Sequence, residues 1–224
     1  MEESWPSYLW YQTSYWLSAA AMTFGFSLRT QGHQHVPRRG PALLIANHQS
    51  FMDPILVGLA VRRHAVFLAR QSLFRHRWLA RLMRSLDAVP VNQEGFAREG
   101  LKTILEQLQE GRVVGIFPEG ERTADGQIHP LRPGIHLLIK KLAIPIIPVG
   151  IAGAYDAWPR WRAYPIPAPL FLPAGKGTIA VSVGRPLDSR QFAGQPRAQV
   201  LADLFVELQK QKDRAERLRR KRSA

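Results

Sequence analysis

The chain predicts a single α/β domain built on a largely parallel mixed sheet flanked by helices, preceded by an N-terminal helical segment. Three observations carry that expectation. Short apolar runs of strand length, most of them rich in Val and Ile, recur at 42–46, 65–69, 88–91, 112–117, 144–149 and 178–183. Between them lie stretches with helical spacing, at 52–61, 72–86, 96–110 and 134–142. A length of 224 residues holds one sizeable core with room for a small appendage. Strands alternating with helices argue for parallel pairing with both faces covered. There is no internal repeat.

The elements follow in order. Residues 1–30 form the first unit. Residues 4–28 carry no charge and hold eight aromatic residues between Trp5 and Phe26, a composition that prefers a membrane interface. The stretch is long enough to span a bilayer, but Gln12, Thr13, Ser14, Ser18, Thr23 and Ser27 interrupt it. We read it as a membrane-associated helix lying in the interface, with a single span as the second reading. A cleaved signal peptide lacks its basic start, because Glu2 and Glu3 come first, and a helix packed on the domain is the remaining alternative.

The α/β domain is expected over 31–190. It opens on a polar connector containing His33 and His35, whose spacing suggests metal but finds no third ligand in sequence. In the helix at 96–110, Ala97, Leu101, Ile104, Leu105 and Leu108 share one face and place Arg98, Lys102 and Glu106 toward the other. The helix at 72–86 is basic and amphipathic, suited to lipid headgroups or to a core with one solvated face. Five prolines between Pro159 and Pro173 exclude a regular helix or central strand there. This apolar excursion reads as a lid, a lipid-facing rim or a packed surface loop. Residues 191–224 form a basic amphipathic helix and tail, with Val200, Leu201, Leu204, Phe205 and Leu208 on one side and eight Lys or Arg between Lys210 and Arg222.

Composition bounds the chemistry. Against 17 acidic residues stand 31 Lys and Arg, a net charge of +14, so the partner is expected to be anionic. Zero cysteines exclude disulfides, thiolate metal sites and a cysteine nucleophile. Histidine, carboxylates and hydroxyls remain.

Directly behind the first apolar run stands Asn47-His48-Gln49-Ser50-Phe51-Met52-Asp53. A histidine five residues before an aspartate is about 140° out of phase with it on a helix and on the opposite face of a strand, so the two meet only across a turn. Such a turn is available: Ser50-x-x-Asp53 reads as a capping box, or Asp53 is itself the N-cap with Pro54 at the first helical position. Alone, the pair reads first as a helix cap. In the catalytic reading Asp53 orients the imidazole of His48, whose other nitrogen takes a proton from a hydroxyl. A second stretch, from Val113 through Phe117-Pro118-Glu119-Gly120-Glu121-Arg122-Thr123, runs a buried strand into a loop. Ligands gather beyond the carboxyl ends of strands in open α/β sheets, so the two loops are expected to share one crevice. Arg122 suits a phosphate, because its planar fork makes two charge-assisted bonds; an ion pair with Glu119 or Glu121 is its alternative.

Together these stretches resemble the 1-acylglycerol-3-phosphate acyltransferase family, within the wider glycerolipid acyltransferases. Asn47 to Asp53 matches the family's Asn-His-x4-Asp block, the HX4D motif, and Phe117 to Thr123 its Phe-Pro-Glu-Gly-Thr-Arg-Ser block. Ile144-Pro145-Ile146-Ile147-Pro148-Val149 is similar to its last block. The resemblance covers about residues 30 to 185. Glu121 and Thr123 replace the usual threonine and serine. Gln93 stands where the family has an arginine associated with the acceptor's phosphate, and Arg98 or Lys102 is the expected substitute.

The resemblance implies transfer of an acyl chain from acyl-CoA or acyl carrier protein, as co-substrate, to the free hydroxyl of a lysophospholipid. The first candidate is 1-acyl-sn-glycerol-3-phosphate, giving phosphatidic acid for phospholipid biosynthesis. It implies His48 as base and Asp53 as orienter, with Asn47, Ser50, Glu119, Gly120, Arg122, Thr123, Arg98 and Lys102 as substrate-binding residues. Backbone amides near the Glu119–Gly120 turn are expected to face the oxyanion. Neither a metal nor another cofactor is called for. The expected setting is an anionic bilayer, at the cytoplasmic face of the inner or plasma membrane. Other acceptors, namely glycerol-3-phosphate, another lysophospholipid or a lyso-aminolipid, are the alternative within this chemistry. A non-catalytic basic module for membranes or nucleic acid is the alternative outside it; for nucleic acid no recognised binding motif exists, and the aromatics cluster away from the basic residues. A hydrolase using the same base on water is the third, without a Gly-x-Ser-x-Gly motif to support a serine mechanism.

Overall fold

Alternating side chains of the central strand divide the molecule into two packed layers around one sheet. The computed structural model describes residues 5–75, 80, 88–91, 96–141 and 143–220. Its strands are β1 (Arg29–Gln31), β2 (Ala42–Ala46), β3 (Ala65–Arg70), β4 (Ala88–Val91), β5 (Val113–Ile116), β6 (Pro145–Ala152), β7 (Ala180–Val183) and β8 (Leu187–Asp188). Its helices are α1 (Trp5–Phe26), α2 (Asp53–Val61), α3 (Phe96–Gln109), α4 (Gly134–Lys140), α5 (Ala154–Ala157) and α6 (Arg197–Leu218). The eight strands form one sheet in the order β1-β7-β6-β2-β5-β3-β4, with β8 also on β6. β6, β2, β5, β3 and β4 run parallel, whereas β7 and β8 are antiparallel to β6 and β1 is parallel to β7. The largely parallel mixed sheet expected from the alternating periods is the one observed.

In β2, Ala42, Leu44 and Ala46 point to one face, where they meet Met52, Leu56 and Val57 beside α2 and Phe26 of α1. Leu43 and Ile45 point to the other, into a cluster with Leu138 of α4, Leu108 of α3 and Leu204 and Leu208 of α6. A strand covered on both faces has no polar side to show, which is why 42–46 reads as a continuous apolar run. Each fully buried aliphatic side chain in these layers contributes about 1.5–3 kcal/mol.

The C-terminal helix belongs to the second layer, with Val200, Leu204 and Leu208 buried as its spacing predicts. It lies so close to β6 that a Cβ on Gly150 would sit 2.0 Å from the carbonyl carbon of Gln211. The first basic residues of the tail fold back rather than fray. Arg219 donates to the carbonyls of Thr178 and Lys176 and Arg220 to that of Leu170.

Two differences from expectation stand out. The edge strands β1 and β8 are not foreseen, because Arg-Thr-Gln and Leu-Asp are too short and polar to make an apolar run. α1 is partly a packed helix: Met22 lies against the first core layer and Phe26 within it, while Trp16, Leu17 and Phe24 are exposed. Among the described residues no helix is long and apolar enough to cross a membrane, so the single span has no helix to carry it. Of the basic helix expected at 72–86, a 3-10 turn covers Gln71–Phe74, and most of the remainder, like Gln93, lies outside the described residues.

Candidate active site

β2 and β5 are neighbouring parallel strands with Ile45 opposite Ile116. Asn47-His48 and Phe117-Pro118 therefore leave the sheet side by side at its carboxyl end, and the two motif loops meet there. The loops are stitched together: the His48 amide donates to Glu119 Oε1 at 2.8 Å, and the Thr123 amide donates to the His48 carbonyl at 2.8 Å.

The imidazole is fixed by a carboxylate and an aromatic stack. His48 Nδ1 lies 2.7 Å from Asp53 Oδ2. Asp53 is the first residue of α2 and wholly buried. Neither Asp53 nor Ser50 is the N-cap, since Met52 holds that position without a side-chain cap; of the expected capping box only the backward half is made, the Ser50 amide donating to the Asp53 carboxylate. The same Oδ2 accepts from the amides of both Gln49 and Ser50. Because Oδ2 already acts as acceptor for two backbone amides, the proton of the pair is assigned to Nδ1. This leaves the lone pair on Nε2, which no described residue bonds. The ring stacks on Phe117 with centroids 4.1 Å apart and 15° between planes. Phe117 in turn stacks on Phe67 at 5.9 Å. Phe67 lies flat over Gly115, where a Cβ would come within 2.2 Å of its ring.

Glu119 is buried and uses both oxygens, accepting from the His48 amide and, at 2.8 Å, from the His129 amide. Burial raises its pKa above the usual carboxylate value, a shift opposed by the two backbone donors and by the nearby histidines. Gly120 has φ +80°, a left-handed conformation that favours glycine. Its amide closes the turn onto the Phe117 carbonyl at 3.0 Å, so that expected oxyanion donor is already committed within the loop. Arg122 places its guanidinium carbon 3.4 Å from the centroid of Phe51, a cation–π geometry. Glu121 instead faces Arg132 at 3.6 Å and Arg160 at 3.7 Å.

Several residues expected to bind substrate are spent on the framework. Asn47 grips β6 through both ends of its amide, donating to the Ile151 carbonyl at 3.0 Å and accepting from the Ile151 amide at 2.7 Å. Ser50 donates to the Trp158 carbonyl at 2.9 Å. The hydroxyl of Thr123 donates to Asp125 at 2.8 Å and accepts from the amides of Asp125 and Gly126. The Gln127 amide and the Thr123 hydroxyl hold the Asp125 carboxyl down to about 2. Lys102 is exposed and pairs with Glu106 at 3.6 Å along α3. Arg98 lies in the first turn of α3. Of the histidine pair in the connector, His35 Nδ1 meets the Val183 carbonyl at 2.9 Å, and among the described residues no group of His, Cys, Asp and Glu is arranged to hold a metal ion.

Residues 27–152 match the family model described as acyltransferase. The chain belongs to the acyltransferase family. A 1-acyl-sn-glycerol-3-phosphate acyltransferase from Bacillus subtilis (strain 168) is 24% identical over 176 residues, covering 78% of this chain and 81% of that protein. The chloroplastic 1-acyl-sn-glycerol-3-phosphate acyltransferase BAT2 of Brassica napus is 26% identical over 147 residues, 64% of this chain and 42% of its own length. This acyltransferase thus spans most of the bacterial relative but less than half of the plant one. The crystal structure of the 1-acyl-sn-glycerophosphate (LPA) acyltransferase PlsC from Thermotoga maritima superposes with a TM-score of 0.76 at 22% identity, covering 97% of this chain and 83% of that one. At that identity the likeness is one of fold.

Some site residues of this acyltransferase carry no signal in sequence. Gln49 is buried and bridges loops, donating to the Gly126 carbonyl at 3.3 Å and accepting from the Tyr155 amide at 3.3 Å. Arg160 reaches the Arg122 carbonyl at 3.4 Å. These contacts join segments 38 to 106 residues apart, and no local pattern announces them.

Proposed function

We propose that the protein transfers a fatty acyl chain from acyl-CoA or acyl carrier protein to the free hydroxyl of 1-acyl-sn-glycerol-3-phosphate at a membrane surface, giving phosphatidic acid. The observation that carries the reading is the 2.7 Å contact between His48 Nδ1 and buried Asp53, at the carboxyl end of adjacent parallel strands and with Nε2 turned away from the carboxylate.

In this reading Nε2 removes the hydroxyl proton as that oxygen attacks the thioester carbonyl. The new ester C–O bond forms, the C–S bond breaks, and the imidazolium returns its proton to the departing thiolate. Asp53 stabilises the imidazolium without taking the proton. No acyl-enzyme is required. Arg122, partly buried over Phe51, is the proposed anchor for the acceptor's phosphate, with Arg160 close by. Asn47, Ser50, Glu119, Gly120 and Thr123 serve as positioning residues that hold the two loops in register. The exposed aromatic face of α1 and the +14 charge support attachment to an anionic bilayer.

The test is acylation of a panel of acceptors with labelled acyl donor. The wild-type chain should acylate 1-acyl-sn-glycerol-3-phosphate faster than glycerol-3-phosphate, other lysophospholipids or lyso-aminolipids. His48→Ala should lose roughly two to four orders of magnitude in rate while keeping the circular dichroism of the wild type. Near wild-type turnover in that variant overturns the assignment of the base; preference for another acceptor overturns the assignment of the substrate.

A further inference from the structure

The proline-rich stretch after α5 is ordered, yet it shows its apolar side chains to solvent. Its backbone is tied down at intervals. The Ile166 amide donates to the Ala157 carbonyl at 2.7 Å, Ala168 to Gly25 at 2.8 Å and Leu170 to Phe24 at 3.0 Å. Arg220 binds the Leu170 carbonyl at 2.7 Å from the far end of the chain. On this fixed scaffold Tyr164 is 81% exposed, Phe171 79% and Trp161 61%, with Ile166 and Leu172 also exposed. Phe24, on the last turn of α1 and joined to Leu170 by its carbonyl, is 58% exposed and extends the same surface. So many exposed large apolar side chains on one well-ordered loop point to an interaction site.

Charge and position select the partner. Between Trp158 and Gly177 the chain carries Arg160, Arg162 and Lys176 and no acidic residue, a local excess of positive charge, with Arg160 pairing with Glu121 of the neighbouring loop. The loop also starts at the candidate active site: the Trp158 carbonyl accepts from Ser50, and the Trp158 ring lies 5.7 Å from that of Phe51. Exposed aromatic side chains on a segment with basic and no acidic residues fit a bilayer with anionic headgroups, where rings enter the interface and cations meet phosphates.

We propose that residues 161–172, together with Phe24, form a membrane-docking rim that seats the His48 site on an anionic bilayer, as a contact additional to the rest of α1. The purpose assigned to the rim, delivery of a bilayer acceptor to His48, rests on the proposed function; the docking itself does not.

The experiment uses the full chain with phosphatidylcholine vesicles, with and without phosphatidylglycerol. Phe171→Asp combined with Leu172→Asp should lower sedimentation with the anionic vesicles on the order of tenfold or more. Val206→Asp, at an exposed apolar position on α6, should bind as wild type. Wild-type binding by the loop variant overturns the proposal, as does an equal loss in the α6 variant. Urea midpoints are expected to be unchanged, and sedimentation compared among folded proteins keeps the result decisive if one variant is less stable. In the activity arm, the loop variant should lose acylation of an acceptor embedded in vesicles but keep that of a short-chain acceptor dissolved as monomer. Loss of both places the loop in the catalytic site and overturns the docking role. Acyl transfer by neither protein would defeat the proposed function alone, leaving the sedimentation result to decide the rim.

Discussion

His48 is held by three separate constraints, each acting on a different atom. Asp53 fixes the ring nitrogen, Glu119 the backbone amide, and the Thr123 amide the backbone carbonyl. Asp53→Asn keeps the volume but places an amide where a carboxylate accepts from three donors. The imidazole then adopts the wrong tautomer, and turnover should fall about 10³–10⁴-fold with the acceptor KM little changed. A fall below tenfold in steady-state kinetics would refute the orienting role. Glu119→Gln tests the second constraint, because an amide side chain offers one acceptor where two backbone donors converge; the expected cost is about 1–3 kcal/mol. The pH dependence has a definite sign. Burial raises the folded carboxyl above its unfolded value, so its linkage contribution is present below the unfolded pKa and is lost as pH rises through the folded one. The gap in urea-unfolding free energy between wild type and Glu119→Gln should therefore narrow with rising pH across that window. A widening gap would contradict the burial argument.

At the scale of elements, the sheet reaches the His48 ring through aromatic packing. Gly115 on β5 lets Phe67 of β3 lie flat, Phe67 supports Phe117, and Phe117 supports His48. Gly115→Ala should displace Phe67 and cost about 1–3 kcal/mol through overpacking, with a loss of turnover as the stack shifts. Unchanged turnover in this variant would show that the ring keeps its place without the column. The central strands and helices were legible because burial on both faces writes itself as Val- and Ile-rich runs, of which 42–46 is the plainest case. β1 escaped notice because Thr30 and Gln31 have no apolar pattern; the strand exists through its pairing with β7. In the site, the turn that unites His48 and Asp53 was legible from their spacing. The backward reach of Asp53 to the Ser50 amide is what a capping box predicts, but its further hold on the Gln49 amide and the His48 ring was not legible, since a cap needs neither. The employment of Asn47 was hidden for another reason: its partner, Ile151, lies 104 residues away.

For the whole molecule, attachment should follow its charge. A net +14 attracts an anionic surface across about 30 Å at 0.01 M ionic strength but only about 8 Å at 0.15 M. Binding to phosphatidylglycerol-containing vesicles should weaken steadily over that range, as read by sedimentation; affinity indifferent to salt would assign attachment to the apolar rim and α1 alone. The stitching of the two motif loops has a further consequence in time. The His48 amide waits for Glu119, 71 residues later, and Asn47 for a strand 104 residues later. Non-local contacts of this kind form late, after loop closure over long stretches of chain. During synthesis a chain with only β2 and α2 emerged holds the histidine and the aspartate but has neither Glu119 nor β6 to fix the loop that carries them. The His48 loop is therefore organised only as the central sheet is completed, and unfinished chains carry the histidine and the aspartate without the contacts that fix them.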